Sequence, residues 1–360
     1  MTASTDRPIH VALIGYGAAG AVLHAPLIAS TPGLELGAIV TTRPARQRHA
    51  GATYPGATIL ADVGGLWRGG FDLVVIATST GAHAGLAEHA IAAGVAVVVD
   101  KPLATSAAAA QRVVRRARAA GVPLTVFQNR RWDSDFLTLR KVMADGRLGR
   151  GIRLEARFEG YEALDPAAWQ ESPDPADGGG VLIDLGSHRI DQALVLFGAP
   201  RSVYAELRRR RPGAAIEDDA FVSLAHAGEV TCHLWLSRAA HAGGPGFRML
   251  GSDGAFEIDG TDPQWGALAR GDHPGGAGWG RQTMAGRVTS EAGAAPAVRR
   301  VRPAQGDYRR FYVAVRDALL SGTPMPVDPL DAVAVLRVIE GARASAARGR
   351  RIDLDQGRTA

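Results

Sequence analysis

The sequence predicts an α/β domain built on a doubly wound parallel sheet, followed by an α+β domain with a large, predominantly antiparallel open sheet. Two observations predict this order. The first 130 residues alternate short β-branched runs with alanine-rich helical stretches, as a parallel sheet with crossover helices requires. The remainder carries longer alternating segments separated mainly by turns, which is typical of antiparallel strands. The expected domains are residues 1–130 and 131–360.

The first domain has six candidate strands. Two of them, residues 73–76 and 95–99, are apolar on both faces, as strands buried between two helical layers must be. Helical stretches at 18–29, 81–92 and 105–120 supply the connections. The other candidate strands are residues 9–14, 34–40, 57–60 and 124–127.

The second domain begins with a predicted helix at 134–144 and contains another at 182–197. A glycine-rich stretch, 261–300, is expected to be a surface loop. Two helices with apolar spacing of three and four, 305–320 and 328–348, close the chain and could pack back on the first domain. The candidate strands are residues 152–161, 202–209, 220–225, 229–237, 247–250 and 255–258.

Composition excludes a disordered chain, because 46% of the 360 residues are apolar. The net charge of +5 comes with arginine runs at 208–211 and at 348, 350 and 351, without interleaved aromatic residues. We therefore expect solvated basic faces and no nucleic-acid partner. Only two of the 41 basic residues are lysines, Lys101 and Lys141.

The sequence also predicts a cytoplasmic protein without a membrane partner. The residues before the first apolar run at Ile9 are too few and too polar for a secretory signal. No stretch of about 20 residues is continuously apolar, since Thr78, Ser79 and Thr80 interrupt the best candidate. The single cysteine, Cys232, lies in an alternating run and is expected to be buried.

A glycine-rich turn follows the first candidate strand and opens the first helical stretch. It matches the G-x-G-x-x-G pattern of Rossmann domains. In that pattern the glycines form a tight turn, let the backbone approach a pyrophosphate and allow the helix to pack against the sheet. We interpret the segment as a dinucleotide site, with an ordinary strand-to-helix turn as the alternative. Its residues are Gly15, Tyr16, Gly17, Ala18, Ala19 and Gly20.

The end of the second candidate strand decides between NAD and NADP. An acidic residue about 20 positions beyond the glycines would bind the ribose hydroxyl of NAD. This chain instead has Thr41, Thr42 and Arg43, whose hydroxyls and guanidinium suit a 2′-phosphate. We therefore expect NADP as the cofactor, with NAD as the alternative.

Lys101 follows the fifth candidate strand, between Asp100 and Pro102. Loops at the carboxyl ends of parallel strands line the ligand crevice. The chain keeps lysine here although it otherwise uses arginine, and the compact lysine charge suits proton handling at a substrate hydroxyl. A functional role is therefore expected, although Lys141 on a predicted exposed helix shows that lysine also occurs without one.

Asp184 and His188 are four residues apart in a predicted helix, which places the carboxylate and the imidazole on one face. The pair could act as acid and base near neutral pH. It could also be a satisfied core pair, or half of a metal site completed by His83 or Asp191. The glycine run 178–180 favours function, because glycines let backbone approach a ligand closely.

Three segments in order resemble a known family over nearly the whole chain. They are Gly15-Tyr16-Gly17 with His24-Ala25-Pro26-Leu27, residues 128–137, and Asp184-Leu185-Gly186-Ser187-His188 with Ile190-Asp191-Gln192. The chain resembles the glucose-fructose oxidoreductase, inositol dehydrogenase and rhizopine-catabolism family, and within it the NADP-dependent scyllo-inositol 2-dehydrogenases. The resemblance implies a Rossmann domain and a sheet domain whose open face makes homodimers or homotetramers.

The resemblance also implies three catalytic roles in hydride transfer between nicotinamide and a cyclitol or sugar. His188 takes the hydroxyl proton, Lys101 holds the substrate oxygen, and Asp184 supports this arrangement. Further cofactor contacts are expected from Thr78, Ser79, His83, Asp100 and Lys101. Further substrate contacts are expected from Asn129, Arg131, Tyr161 and Trp169.

The chain departs from the family pattern at three places. Ser79 stands where the family usually has proline, Asp100 where it usually has glutamate, and 161–164 differs from the close relatives.

From the motifs and the resemblance together, we predict a dehydrogenase for a small polyol or sugar that uses NADP, or alternatively NAD. A non-catalytic NADP-sensing protein and a metal-dependent enzyme with Asp184 and His188 as ligands are the other hypotheses.

Overall fold

Two compact units make up the computed structural model, which describes residues 7–68, 70–260, 262–292 and 295–354. The assignment of cofactor binding to one part and substrate binding to the other stays a prediction. The first unit comprises Met1–Asn129, Pro263–Trp279 and Asp307–Val333, and the second comprises Arg130–Asp262, Gly280–Gly306 and Ala334–Ala360.

The first unit contains an all-parallel sheet of six strands. These are β1 (Ile9–Ile14), β2 (Leu34–Val40), β3 (Thr58–Leu60), β4 (Leu73–Ile76), β5 (Ala96–Asp100) and β6 (Leu124–Phe127). Their order is β3-β2-β1-β4-β5-β6, so the strand order reverses between β1 and β4. β4 and β5 are buried along their whole length. The predicted doubly wound α/β fold is confirmed, and its ligand crevice is expected beyond the carboxyl ends of β1 and β4.

Helices connect these strands as crossovers. A turn of π-helix, Ala19–His24, leads into the first α-helix. The last crossover helix has clear end signals, because the Ser106 hydroxyl accepts a hydrogen bond from the Ala109 amide and Gly121 ends the helix at φ +64°. The helices are α1 (Ala25–Ala29), α2 (Pro44–Thr53), α3 (Thr80–Ala92) and α4 (Ala107–Ala120).

The second unit contains a larger sheet, and three helices lie between or before its strands in the sequence. The helices are α5 (Ser134–Ala144), α6 (Val181–Asp184) and α7 (Gly186–Phe197). Where one helix was predicted over 182–197, the structure has two, divided at Leu185, which keeps right-handed helical dihedrals. The strands before residue 260 are β7 (Gly151–Glu159), β8 (Ser202–Arg208), β9 (Asp219–Ala225), β10 (Thr231–Ser237), β11 (Phe247–Gly251) and β12 (Gly254–Ile258).

The prediction of a surface loop over 261–300 is confirmed for 270–285, which has turns and irregular backbone, but is wrong for 264–269, 286–292 and 295–300. Residues 261, 293 and 294 lie outside the described residues. This stretch forms α8 (Gln264–Ala269), β13 (Gly286–Ala292) and β14 (Ala295–Val301). The hairpin extends the sheet from β12. It lacks a clear apolar alternation because it lies at the sheet edge, where Val288 is buried but Val298 is 62% exposed.

The chain closes with α9 (Arg309–Ser321), α10 (Pro329–Arg348) and the short strand β15 (Ile352–Asp353). β15 pairs with β8 and completes the order β14-β13-β12-β11-β7-β10-β9-β8-β15. Among the strands that the structure describes, β7 and β10 alone pair in parallel in this sheet, so the predicted, predominantly antiparallel sheet is confirmed. Across the described ranges, no helix is long and apolar enough to span a membrane.

Two predictions about single side chains have opposite outcomes. Cys232 is buried, as its alternating strand predicted. The prediction of a solvated basic face is wrong for Arg211, which is only 6% exposed. Its guanidinium donates to Glu171 at 2.7 Å and to Asp218 at 2.9 Å, and these two carboxylates compensate the buried charge.

Candidate active site

The three glycines after β1 are required for different reasons. Gly15 has φ +98°, and a Cβ there would lie 2.3 Å from the Ala77 carbonyl oxygen. A Cβ on Gly20 would lie 2.0 Å from the carbonyl oxygen of Gly15. The nearest atom to a Cβ on Gly17 is the Arg46 Nη1 at 3.7 Å. Gly15 and Gly20 are therefore demanded by the fold, whereas Gly17 leaves space where a ligand can approach the backbone.

A cleft of about 300 Å³ opens beside Gly17. Arg46 and His49 of α2 line it, and the Tyr16 hydroxyl lies 3.1 Å from His49 Nδ1. Sequence reasoning missed Arg46 and His49, although their three-residue spacing from Arg43 was a signal that they share one helix face. The other lining residues are Gly17, Ala18, Ala21 and Ala45.

The residues expected to contact a 2′-phosphate lie at the start of α2. Thr41 is buried, and its backbone is engaged, since its amide donates to Leu60 and its carbonyl accepts from Gln47. Thr42 and Arg43 are exposed, and Arg43 directly precedes α2. Arginines at a helix N-terminus beside an open glycine turn fit the phosphates of a dinucleotide.

His83 ties together the loops that follow β4 and β5. Its Nδ1 lies 2.8 Å from the carbonyl oxygen of Pro102, and its Nε2 lies 3.2 Å from that of Thr78. Burial lowers the pKa of His83, so the ring is neutral at pH 7. Both nitrogens face backbone oxygens, which supports a positioning role and does not support the metal-ligand hypothesis. In the loop that follows β4, Ser79 is exposed.

Asp100 ends β5 immediately before the half-buried Lys101. The Asp100 carboxylate is buried and accepts a hydrogen bond from the Lys101 amide at 2.8 Å. Burial favours the neutral acid, but the His24 imidazole and the charge of Lys101 hold the pKa of Asp100 below its usual value. A fixed negative charge therefore lies next to Lys101.

Asp184 is the last residue of α6, and His188 lies in the first turn of α7 with 6% of its surface exposed. The Asp184 carboxylate accepts a hydrogen bond from the guanidinium of Arg238. A second nitrogen of Arg238 donates to Glu162 at 2.9 Å. Arg238 was missed because it follows the last residue of β10, far from Asp184 in the sequence. It holds Asp184 as an oriented, ionised carboxylate.

Asp191 and Arg131 bind each other. Two nitrogens of Arg131 donate to the two carboxylate oxygens of Asp191 at 2.8 and 2.6 Å. The hypothesis of a metal site completed by Asp191 therefore lacks support, and the Arg131 guanidinium predicted to contact substrate is held by a carboxylate. Within the described part of the chain, no group of three or more histidine, cysteine or acidic residues is placed to hold a metal ion.

The sequence suggested that the glycine run 178–180 lets backbone approach a ligand, but the structure gives a different reason for glycine there. A Cβ on Gly179 would lie 2.4 Å from the Ser172 carbonyl oxygen, and one on Gly180 would lie 2.2 Å from a carboxylate oxygen of Glu217. These glycines accommodate close packing within the protein itself. The inference that they admit a ligand is therefore replaced by a packing requirement.

The other expected substrate contacts lie in different surroundings. Asn129 is buried at the start of a 3₁₀ turn, Asn129–Trp132, two residues after the end of β6. Tyr161 is 55% exposed and stacks on the ring of His241 at 4.3 Å. Trp169 is half-buried at the start of a 3₁₀ turn, Trp169–Glu171. Tyr161 therefore presents an aromatic surface to solvent, whereas Asn129 does not.

Arg189 follows His188 and is fully buried. Its guanidinium lies between the rings of Phe158 and Phe247, at 3.8 and 4.2 Å from their centres. It donates to the Gln192 side chain and to the Arg157 carbonyl oxygen. Burial lowers the pKa of Arg189 to about 10. This cation fixes α7 against the sheet at the residue next to His188.

Two family models match the chain. The model described as the oxidoreductase family with an NAD-binding Rossmann fold matches residues 9–128. The model of the GFO/IDH/MocA C-terminal domain matches residues 136–257. Together they cover the parallel sheet and most of the larger sheet.

Similar proteins match over almost their full lengths. YdgJ of Escherichia coli strain K12, described as an uncharacterised oxidoreductase, is 36% identical over 92% of this chain and 94% of its own. IolW of Bacillus subtilis strain 168, a scyllo-inositol 2-dehydrogenase (NADP+), is 31% identical over 96% of both chains. The solved structure of yvaA from Bacillus subtilis superposes with a TM-score of 0.91 at 29% identity, covering 98% of this chain and all of that one. The chain therefore belongs to the GFO/IDH/MocA oxidoreductase family.

Proposed function

We propose that the protein is an NADP-dependent dehydrogenase that oxidises a secondary hydroxyl of a cyclitol or sugar, or reduces the matching ketone. The observation that carries this proposal is the ionised Asp184, held by Arg238 and placed four residues before the buried His188. The name of the relative IolW, a scyllo-inositol 2-dehydrogenase (NADP+), supports the same substrate class.

The glycine turn and the start of α2 would hold the cofactor. Gly17 leaves room for the pyrophosphate at the backbone, and Arg43 and Arg46 would bind a 2′-phosphate. None of the described residues that line the cleft is acidic and would repel this phosphate. These features favour NADP over NAD. When bound, the nicotinamide accepts the hydride from the substrate carbon or returns it.

Three side chains would handle the substrate hydroxyl. His188 takes the hydroxyl proton as general base and returns it as general acid in the reverse direction. The Lys101 ammonium binds the substrate oxygen and stabilises the negative charge that develops there. Asp184 keeps His188 in a state able to accept a proton, and Arg238 holds Asp184 in place. Tyr161 offers an exposed ring to an apolar face of a sugar.

A panel of polyols and sugars, assayed with NADP and with NAD, tests this proposal. We expect at least one cyclitol or sugar to reduce NADP faster than NAD. Tight NADPH binding without turnover of any panel member would instead support the NADP-sensing hypothesis. Loss of activity after treatment with a chelator, restored by added metal, would support the metal-dependent hypothesis.

We also propose a cytoplasmic homodimer or homotetramer assembled through the larger sheet. The face opposite its buried residues carries Phe221, His233 and Trp235, whose ring centres lie 5.4–5.9 Å apart. The guanidinium of Arg157 lies 4.0 Å from the centre of the Trp235 ring. Aromatic residues and arginine are enriched at protein interfaces. Light scattering should give the mass of two or four chains, and a monomer at micromolar concentration would contradict the proposal.

A further inference from the structure

A buried row of polar groups in the first unit leads to Asp100. The Tyr312 hydroxyl of α9 lies 2.5 Å from His24 Nδ1, and His24 Nε2 lies 3.7 Å from the Asp100 carboxylate. His24 and Tyr312 are completely buried. The ring of His24 also packs on Phe127, with their centres 4.4 Å apart. The row joins three elements that are far apart in the sequence.

The protons in this row can be assigned from the chemistry of the groups. Burial and the nearby charge of Asp100 raise the pKa of Tyr312 well above its usual value, so the phenol keeps its proton. His24 Nε2 makes no hydrogen bond within the described residues, and the Asp100 carboxylate lies near it. Because a carboxylate can only accept, we place a ring hydrogen on Nε2, and Nδ1 then accepts from the Tyr312 hydroxyl. At 3.7 Å the interaction of Nε2 with Asp100 is longer than a hydrogen bond and acts mainly through electrostatics.

Asp100 in turn interacts with Lys101, the next residue in the chain. Its carboxylate accepts the Lys101 amide at 2.8 Å and attracts the Lys101 charge. The other titratable group that acts on Asp100 within the first unit is His83 of α3, which fixes the carbonyl of Pro102 at 2.8 Å. Lys101 therefore lies between a carboxylate oriented by His24 and a carbonyl oriented by His83.

We propose that His24 is a positioning residue for Lys101, which it orients through the electrostatic attraction between its Nε2 hydrogen and the Asp100 carboxylate. The role of Lys101 in binding the substrate oxygen rests on the proposed function, whereas the constraint from His24 is a property of the protein alone. A purely structural role would need only the ring that packs on Phe127. The positioning role also needs a hydrogen-bond donor at the place of Nε2. Substitution of His24 by glutamine or by asparagine can test the donor separately, because the two amides lie at different distances from the backbone.

Glutamine places its amide nitrogen near the position of Nε2, and asparagine places its polar atoms near Nδ1. His24→Gln therefore keeps a donor facing Asp100, whereas His24→Asn keeps only a partner for Tyr312. His226→Asn is the matched control. His226 is also buried and its Nδ1 lies 2.9 Å from the Gly198 carbonyl oxygen, but it lies in the second unit.

The readout is amine labelling followed by peptide mass spectrometry. The chain has only two lysines, Lys101 and Lys141, and the exposed Lys141 on α5 is an internal reference. In His24→Asn we expect the labelling of Lys101 relative to Lys141 to rise about fivefold, because the Asp100 carboxylate beside the ammonium is no longer oriented by His24. His24→Gln should stay within about twofold of the parent, and His226→Asn should match it.

An unchanged ratio in His24→Asn, or an equal rise in His24→Gln, would overturn the proposal, since the effect would then not depend on the Nε2 donor. If His24→Asn does not fold, Tyr312→Phe replaces it. That change removes one oxygen and frees the imidazole tautomer, so the ratio should rise there too, and an unchanged ratio would again overturn the proposal. Labelling needs neither substrate nor turnover. Failure of the dehydrogenase proposal would therefore leave this result interpretable.

Discussion

The guanidinium of Arg238 binds two carboxylates, that of Asp184 and that of Glu162. Arg238 and Asp184 are largely buried, whereas the Glu162 side chain is 64% exposed. A buried arginine between a buried and an exposed carboxylate favours the ionised form of the buried one, which has less water to solvate its charge. Asp184 therefore owes its charge and direction to a residue beyond the helices that carry it.

Replacing Arg238 should affect turnover more than cofactor binding. In Arg238→Met, Asp184 loses its cationic partner, and we expect kcat to fall about a hundredfold while NADPH affinity stays within about threefold. Arg238→Lys should lie between the two, because lysine keeps the charge but cannot make both directed contacts. Steady-state kinetics and NADPH fluorescence titration measure these effects.

Arg211→Met is the matched control for this prediction. It also removes a buried arginine that binds two carboxylates, Glu171 and Asp218, and it should lower the melting temperature similarly while changing kcat much less. Equal losses of kcat in the two variants would show that Arg238 acts only through stability.

The glycine turn gives a prediction that separates folding from ligand binding. Gly17→Ala should keep the melting temperature of the parent, because a Cβ there has 3.7 Å of clearance. It should weaken NADPH binding at least tenfold, because the methyl occupies the space needed by the pyrophosphate. Gly15→Ala should instead destabilise the fold, since its Cβ would lie 2.3 Å from a carbonyl oxygen. Unchanged NADPH affinity in Gly17→Ala would contradict the assigned cofactor site.

Arg46 should contribute to discrimination between the two nicotinamide cofactors. Removing a charge-assisted contact to a 2′-phosphate in Arg46→Ala should raise the Kd for NADPH about tenfold to a hundredfold and leave that for NADH within about twofold. Arg48→Ala removes an exposed arginine of the same helix that does not line the cleft and should change neither constant. An equal effect of Arg46→Ala on both cofactors would argue against contact with the 2′-phosphate.

Asp135 should make stability depend on pH in the acidic range. Burial, and next the charge of Asp133, raise the pKa of Asp135 from 3.8 to about 6. The folded protein therefore holds this proton more tightly than the unfolded chain. The stabilisation is fully present below about pH 4 and is lost as the pH rises through about 6, a change of about 3 kcal/mol.

Urea unfolding of the parent and of Asp135→Asn across this range measures that change. The difference in the free energy of unfolding between the two proteins should vary with pH, since asparagine does not titrate. Asp145→Asn, at the exposed end of α5, should follow the parent. If the parent and Asp135→Asn show the same pH dependence, Asp135 does not carry the shift.

Local sequence patterns were sufficient for most of the fold. The two-sided apolar runs at β4 and β5 and the glycines after β1 predicted the parallel sheet and its turn. The β13 and β14 hairpin was not predictable in this way, because its strands are specified by pairing at the sheet edge and not by an apolar alternation.

Where one residue type in one motif carries the chemistry, the sequence points to candidates such as Lys101 and His188, whose catalytic roles stay predictions. The residues that orient those groups were not predictable. Arg238 and His24 reach Asp184 and Asp100 only through tertiary structure, and the glycine run 178–180 misled because packing within the protein also requires glycine. Contacts between residues distant in the chain leave no spacing pattern in a single sequence.

The most direct test of the central claim is the turnover of His188→Asn, measured beside its NADPH affinity on the best substrate of the polyol and sugar panel. Asparagine keeps a polar side chain at this buried position but cannot accept the hydroxyl proton. We expect kcat to fall at least a hundredfold while the Kd for NADPH stays within about threefold of the parent. Unchanged turnover in His188→Asn would contradict the account.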